Sequence, residues 1–515
     1  MARRERIGWW VALIGLLLAQ VALTQPSFLH ASWHGSGLVE GIFGFPHPAT
    51  HRASYGQVSF FVLGAIAALF GQRFEVVALT NQVFGVIALG LLSECARRLS
   101  GGRALAGWAV LALLGLSPAW LRVTASEDAH VLALVFAAAS LLLVVVWTQT
   151  DRLAALVGSG VACVLMLWTR QTFTPWALLV IGVPVAARHT PRAWRAFAAT
   201  VLIAMLVRVL TTASDGSEQT SLFMIPILLA SGSLVGSMLH HHVLLDVLRF
   251  GPTLTVALGF GAWAAWRARG VRRWLLAGLA GYFVLTLPMG FPTPGVELAF
   301  RVPVIALAVL LGAVAFAESA APRWVQLAGA LGCLALPLVF PARALLSWQA
   351  TDYLDYLALR ERVALLPPAV TVVQLPSEDP SWQPPLHLFR QRGIDARLAP
   401  IANAQDPQRP AVLVAGVQCW GHALGEGLDV TFENVRALLG PTFERVYAHD
   451  VDPRRDGVSA VLRPDCARFI EGAERVGTEV ELPVTQDAPF ATYAVDRVPF
   501  SVWLRRGAVT SGSAP

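Results

Sequence analysis

A helical bundle that crosses a membrane about eleven times, followed by a small α/β domain outside it, is the fold class this sequence predicts. Three observations carry the prediction. Of 515 residues, 55% are hydrophobic and only 14% are charged, where an ordinary globular chain carries about a quarter charged residues. Apolar stretches of spanning length recur up to residue 340 and then stop. The charge balance changes at the same point. Residues 1–340 hold 22 Arg against 12 acids, and residues 341–515 hold 17 Arg against 21. The chain contains no Lys. Excess Arg in the apolar part points to cytoplasmic loops rather than to nucleic acid.

The spans fall near 8–24, 76–95, 104–120, 129–147, 153–169, 173–187, 196–211, 251–266, 274–291, 302–317 and 324–340. Arg3, Arg4 and Arg6 precede the first, and Arg97, Arg98 and Arg103 lie between the second and third. Arg152 follows the fourth and Arg188, Arg192 and Arg195 the sixth. Arg267, Arg269, Arg272 and Arg273 follow the eighth, and Arg323 the tenth. With eleven spans all of these share one side, which the positive-inside rule makes cytoplasmic. The N-terminus is then inside and the tail outside. No small-x-small site cleanly ends the first apolar run, so it reads as an anchor rather than a cleaved signal. QVSFFVLGAIAALFG, residues 57–71, is too short to join the count. It reads as a helix lying in the outer interface, and residues 221–237 resemble it. The predicted organisation is a transmembrane domain over 1–340, with a large outer loop at 25–75, and a soluble domain over 341–515.

In the tail, LPPAVTVVQLP and RPAVLVAGVQCW read as buried strands bounded by Pro and Gly. LHLFRQRG and TFENVRALLG read as helical turns between strands, and such alternation suggests an α/β domain. Cys95, Cys163 and Cys333 lie in or at spans, whereas Cys419 and Cys466 share the outer domain, where a disulfide is chemically possible. There is no P-loop, CxxC or internal repeat.

This topology collects ionisable residues on the outer face. The first loop carries Glu40 with His30, His34, His47 and His51. SPAWLRVTASEDAHVLAL, between the third and fourth spans, carries Arg122, Glu127, Asp128 and His130. Arg170 lies between the fifth and sixth. Asp215, Glu218, the run His240, His241, His242, and Asp246 lie between the seventh and eighth, and Glu297 and Arg301 between the ninth and tenth. Nearby water is reason enough for any one of these charges, and Glu297 with Arg301 has the spacing of an ordinary helical ion pair. Their convergence points further. A carboxylate can act as general base toward a hydroxyl, and Arg can hold a phosphate and stabilise one that departs. Together they suit transfer of a group from a phosphate-linked lipid at the membrane surface. A divalent metal on the loop histidines with Glu40, or on the HHH run, is an alternative. His47 and His51 have the i, i+4 spacing of a helical zinc motif, but Pro48 disfavours an established helix there. No certain cofactor is implied. A transporter would place ionisable groups mid-span and show paired repeats; the span centres are almost free of charge.

The order of several elements is distinctive. HPATHRASYGQVSFFVLGAIAALFG joins an HPP-like element to a short apolar helix ending in FG; ECARRLSGG ends a span. LSPAWLRVTASEDAHVLAL follows a span ending in SP with an acid-bearing turn, and FRVPVIALAVLLGAVAF opens a late span with Arg-x-x-Pro. Over roughly residues 1–320 this order resembles the GT-C superfamily of integral-membrane glycosyltransferases, such as protein O-mannosyltransferases and lipid A aminoarabinose transferases. The resemblance implies a multi-pass protein of the bacterial inner membrane with a periplasmic C-terminal domain. It implies a polyprenyl-phosphate-linked sugar as donor within the membrane lipid, and a glycan, lipid or protein acceptor. By the same resemblance Glu40, or failing it Glu127 or Asp128, deprotonates the acceptor. Arg301, with Arg122 or Arg170, neutralises the leaving phosphate, and Glu297, His34 and His47 complete the substrate site. The chain departs from the pattern in the first loop. The usual acidic pair is missing from HASWHGSGLVEG, where His30 and His34 stand near its place and Glu40 lies farther on. That departure keeps open a non-catalytic GT-C-like scaffold.

Overall fold

The structure is a computed structural model that describes residues 3–26, 33–44, 56–213, 266–286, 296–319, 322, 324, 356–366, 368–375, 385–399, 411–415, 441, 443–451, 480–481, 494–495 and 498–505. The described helices begin with α1 (Arg3–Leu23), α2 (Trp33–Phe43), α3 (Gln57–Phe70) and α4 (Phe74–Leu99). They continue with α5 (Ala104–Gly115), α6 (Pro118–Thr124), α7 (His130–Thr150), α8 (Leu153–Thr169), α9 (Thr174–Ala186) and α10 (Arg192–Ala213). After residues outside the description come α11 (Val271–Thr286) and α12 (Val296–Glu318). Among the described residues, three helices are long and apolar enough to cross a membrane: Phe74–Leu99, His130–Thr150 and Arg192–Thr211. Other apolar helices are shorter. The spans expected at 251–266 and 324–340 lie outside the description, apart from Trp266 and Trp324.

Large apolar side chains remain exposed at helical spacing on α1 (Ile7, Trp10, Val11, Ile14, Leu18) and on α10 (Leu202, Ile203, Leu206, Leu210). Stripes of this size are unfavourable in water, and lipid chains are the environment that satisfies them. The opposite faces of the helices close a single core centred on α4, α5, α7, α8 and α12, with Leu89, Val110, Leu141, Cys163 and Leu307 fully buried.

The span expected at 104–120 is two helices. Pro118 lacks an N–H and its ring clashes with the preceding turn, so α5 cannot run through it. The Ser117 hydroxyl accepts a hydrogen bond from the Trp120 backbone N–H at 3.3 Å and starts α6 afresh. The SP dipeptide is therefore a helix restart, and the charged passage behind it is a short helix followed by a turn.

The two ends of the bundle have different chemistry. At one, Arg97 and Arg98 pair with Glu94, and Arg98 reaches Gln149. Arg103 donates to the Ala317 carbonyl, Arg272 donates to the Leu99 carbonyl and pairs with Glu318, and His189 meets Asp151. Arg97, Arg98, Arg103 and Arg272, assigned to one side by the span count, thus gather at one end. At the other end, Asn81 of α4 reaches the Ser126 and Asp128 carbonyls. Because the C-terminus of α12 lies at the arginine end, its first turns, with Glu297 and Arg301, point to this second end.

Gly56 closes α3 onto that second end. Its φ of +54° is one that L side chains rarely adopt, and a Cβ there would lie 2.0 Å from the Trp168 carbonyl oxygen. Gly56→Ala is expected to cost at least about 2 kcal/mol through strain and overpacking, read as a lowered thermal midpoint of the purified protein.

In the tail, β1 (Ala369–Leu375), β2 (Asp395–Ala399), β3 (Ala411–Ala415), β4 (Phe443–Val451) and β7 (Val498–Arg505) form a sheet of order β2-β1-β3-β7-β4. The pairs of β1 with β2 and β3 are parallel; those of β7 with β3 and β4 are antiparallel. β5 (Val480–Glu481) and β6 (Ala494–Val495) form a separate pair. The strands expected from LPPAVTVVQLP and RPAVLVAGVQCW are β1 and β3, and LHLFR forms α13 (Leu386–Arg390). The tail is not isolated from the bundle. Leu38, Val39, Ile42, Phe60, Leu63 and Phe74 share a second core with Tyr356, Leu359, Val370, Leu388 and Phe389. The turn expected from TFENVRALLG, together with Cys419 and Cys466, lies outside the described residues.

Candidate active site

The charged passage between α5 and α7 is buried, not bathed in water. Arg122 is 1% exposed, Glu127 2%, and Asp128 and His130 0%. Arg170, which caps the end of α8, is 1% exposed. Proximity to water therefore cannot account for these side chains. Burying a charge costs several kcal/mol (on the order of) unless hydrogen bonds and partners compensate it, so the compensation must be built into the fold.

Its geometry is a chain of hydrogen bonds. Asp128 Oδ1 accepts from the His130 backbone N–H at 2.9 Å and lies 2.7 Å from His130 Nδ1. His130 Nε2 lies 3.3 Å from Arg170 Nε and 3.2 Å from Thr172 Oγ1. Tyr282 of α11 donates its hydroxyl to the Thr172 carbonyl at 2.5 Å and anchors the turn that follows Arg170. Asn81 holds the other side of the passage through the Ser126 and Asp128 carbonyls, at 2.7 and 3.2 Å. Four helices and two turns thus converge on three side chains. Gly85 permits the approach of α4 to α6, since a Cβ there would stand 2.6 Å from Thr124 Cγ2.

Glu40 occupies a different setting. It is 7% exposed on α2, in the core shared with the tail. Its Oε1 accepts from the His387 backbone N–H at 2.5 Å and lies 2.7 Å from His387 Nδ1, while Oε2 pairs with Arg390. Tyr356 meets the far side of the same imidazole at 3.0 Å, and Phe43 packs edge-on against it at 4.8 Å. Burial pushes the Glu40 carboxyl up. The hydrogen bonds from His387 and the charges of His387 and Arg390 outweigh that and hold it below the usual carboxylate range. Further ties run alongside: Arg360 pairs with Glu75 at 2.8 Å, and Gln391 donates to the Gln72 carbonyl.

The structure thus brings Asp128, His130 and Arg170 into direct contact, with Arg122 and Glu127 buried in the same passage. It places Glu40 against the tail. Glu297 and Arg301 lie in the first turns of α12 and His34 at the start of α2, with their side chains outside the description; His47 lies outside it altogether. Among the described residues no three His, Cys, Asp or Glu side chains form a metal-binding group. His30, His51 and the run 240–242 are outside them.

Sequence reasoning missed Asn81, Thr172, Tyr282 and Arg208. Arg208 had a visible signal, a lone Arg inside an apolar helix. It is 3% exposed, donates to the Leu167 carbonyl at 3.2 Å, and lies 5.7 Å from the Trp168 ring centroid, one turn from Arg170. The neutral residues had no such signal, because polar residues of their kind are common at helix ends.

No family model matches the sequence, and no curated protein matches it significantly. Solved structures do match its fold. ArnT from Cupriavidus metallidurans, bound to undecaprenyl phosphate, superposes with a TM-score of 0.52 over 79% of this chain and 93% of its own, at 15% identity. The oligosaccharyltransferase of Archaeoglobus fulgidus superposes with a TM-score of 0.51 over 96% of this chain and 88% of its own, at 12% identity. The chain has the GT-C fold. A GT-C fold with apolar stripes on α1 and α10 is an integral-membrane architecture.

Proposed function

We propose that this chain transfers a glycosyl group from a polyprenyl-phosphate carrier to an acceptor hydroxyl, at the end of the bundle where Asp128, His130 and Arg170 meet. The observation that carries the reading is this buried acid–imidazole–guanidinium constellation inside a GT-C fold. The undecaprenyl phosphate bound to the ArnT neighbour supports the choice of donor class.

The acceptor oxygen attacks the anomeric carbon while a carboxylate takes its proton. A new carbon–oxygen bond forms, the bond from the anomeric carbon to the phosphate oxygen breaks, and the lipid phosphate leaves with the electron pair. Asp128 is weakened as a base by the two hydrogen bonds its Oδ1 accepts, so we assign the base to Glu127. Arg122, Arg170 and Arg301 neutralise the departing phosphate. Glu297, His34 and His47 serve the sugar and acceptor, and Glu40 ties the tail to the first loop. A test follows with the purified chain in nanodiscs and a panel of radiolabelled polyprenyl-phosphate sugars. Glu127→Gln is expected to lower turnover by about 10²–10⁴-fold while donor binding persists. Wild-type turnover from Glu127→Gln would refute the base assignment, and wild-type turnover from Glu127→Gln, Asp128→Asn and Glu40→Gln alike would refute the proposed site.

The scaffold reading has one observation in its favour: Glu40 of the first loop is committed to His387 and Arg390. A scaffold would bind no donor in the same nanodiscs. The arginine end is taken as cytoplasmic by the positive-inside rule, which places the site and tail outside. An alkaline phosphatase fused after residue 515 is then active, and one inserted in the 100–103 turn is inactive. The opposite pattern would invert the orientation.

A further inference from the structure

The contacts of His130 fix its protonation pattern. Arg170 Nε is a donor and can never accept, and it lies 3.3 Å from His130 Nε2. Nε2 therefore carries the ring lone pair, and the single ring proton sits on Nδ1, donated to Asp128 Oδ1 at 2.7 Å. The imidazole is neutral, and its tautomer is set by an acid on one side and a guanidinium on the other. Among the groups that face it are Asp128 from its own turn and Arg170 and Thr172 from the end of α8. Tyr282 of α11 acts behind Thr172, and Glu127 and Arg122 are buried in the same passage.

The Arg170 side is equally constrained. Its backbone leaves α8 in an extended conformation, φ −155° and ψ 117°, into the 3-10 turn Gln171–Phe173. With Nε donating to His130 Nε2, rotation of the guanidinium plane is restricted. A guanidinium held in one plane loses less rotational freedom on forming a bidentate contact than one that must be ordered by the ligand.

We propose that His130 is a positioning residue: a neutral imidazole, held by Asp128, that orients the Arg170 guanidinium toward the phosphate of the lipid carrier. The proposal rests on the donor class given under Proposed function. It predicts that binding needs an acceptor at the Nε2 position. It also predicts that protonation of His130, which would set an N–H against the Arg170 N–H, opposes binding.

The experiment is binding of undecaprenyl phosphate to the purified full chain in nanodiscs between pH 5 and pH 9, with thermal unfolding measured alongside. His130→Gln places an amide oxygen near Nε2 and does not titrate. It is expected to bind within about threefold of wild type and to lose the acid limb of the profile. His130→Asn keeps a donor for Asp128 but offers Arg170 no acceptor. It is expected to bind about ten- to a hundredfold more weakly. A purely structural His130 would lower the unfolding midpoint of both variants equally and leave no difference in binding between them, which overturns the proposal. If His130→Asn does not fold, the acid limb decides: its persistence in His130→Gln overturns the proposal. Wild-type protein that fails to bind undecaprenyl phosphate overturns the donor class and the His130 role together. Normal wild-type binding with indifferent variants overturns the His130 role alone.

Discussion

Asp128→Ala is expected to remove both the proposed glycosyl transfer and much of the stability of this protein. Asp128 Oδ1 satisfies the first backbone N–H of α7 and the Nδ1–H of His130, all within a fully buried turn. A hydrogen bond to a charged group contributes about 1.5–3 kcal/mol, and a buried donor left unsatisfied costs its desolvation as well. Losing two such bonds is expected to cost about 3–5 kcal/mol, a large share of the 5–15 kcal/mol (about) by which folded domains exceed their unfolded states. The same change frees His130 to place its proton on Nε2, against the Arg170 N–H. Glycosyl transfer is therefore expected to fall below detection even in the fraction that remains folded. Asp128→Asn separates the two effects, because its amide oxygen can still accept from α7. Its unfolding midpoint is expected to lie between wild type and Asp128→Ala. A midpoint for Asp128→Ala equal to that of wild type would show that the turn is held by other contacts.

The second large effect is expected at Glu40. One buried carboxylate receives the His387 backbone N–H, the His387 ring and the Arg390 guanidinium. Removing it in Glu40→Ala leaves a His387 that is only 1% exposed without its acceptor. The expected cost to docking is about 3 kcal/mol, the low end for a broken buried pair, because the Arg390 side chain is 53% exposed and its share is screened. Amide hydrogen exchange in α13 (Leu386–Arg390) should then be faster in the variant than in wild type. The pH dependence has a definite sign. The folded Glu40 carboxyl titrates below its unfolded value of about 4.3, so its contribution is fully present above that value. It is lost as pH falls through the lower folded one. Tail release on acidification is therefore expected in wild type and absent from Glu40→Ala, which is already released. If instead Glu40→Gln abolishes transfer with the tail still docked, Glu40 is the base that the family resemblance implies.

These two residues illustrate what local pattern can reveal. Helices α4, α7, α8 and α10 follow the expected apolar runs closely because spanning length and apolarity are properties of a contiguous segment. The gathering of Arg97, Arg98, Arg103 and Arg272 at one end was legible for the same reason, since each lies at a segment boundary. Glu127, Asp128 and Arg170 were legible as ionisable groups in an apolar chain. Their burial was not, because whether a turn is covered depends on helices distant in sequence, such as the α4 that supplies Asn81. Glu40 was visible as an acid among the histidines of its loop. Its partners were not, since His387 lies 347 residues away.

The sequence alone determined that this is a helical membrane bundle, because hydrophobic length and charge placement act locally along the chain. It also carried, in the order of weak elements, the resemblance to the GT-C fold that superposition bears out. Only the tertiary structure decided which acid meets an imidazole and a guanidinium and which acid holds the tail. That decision belongs to packing. A buried charge is tolerated only where distant segments supply its partners, and those partners have no signature in the residues beside it.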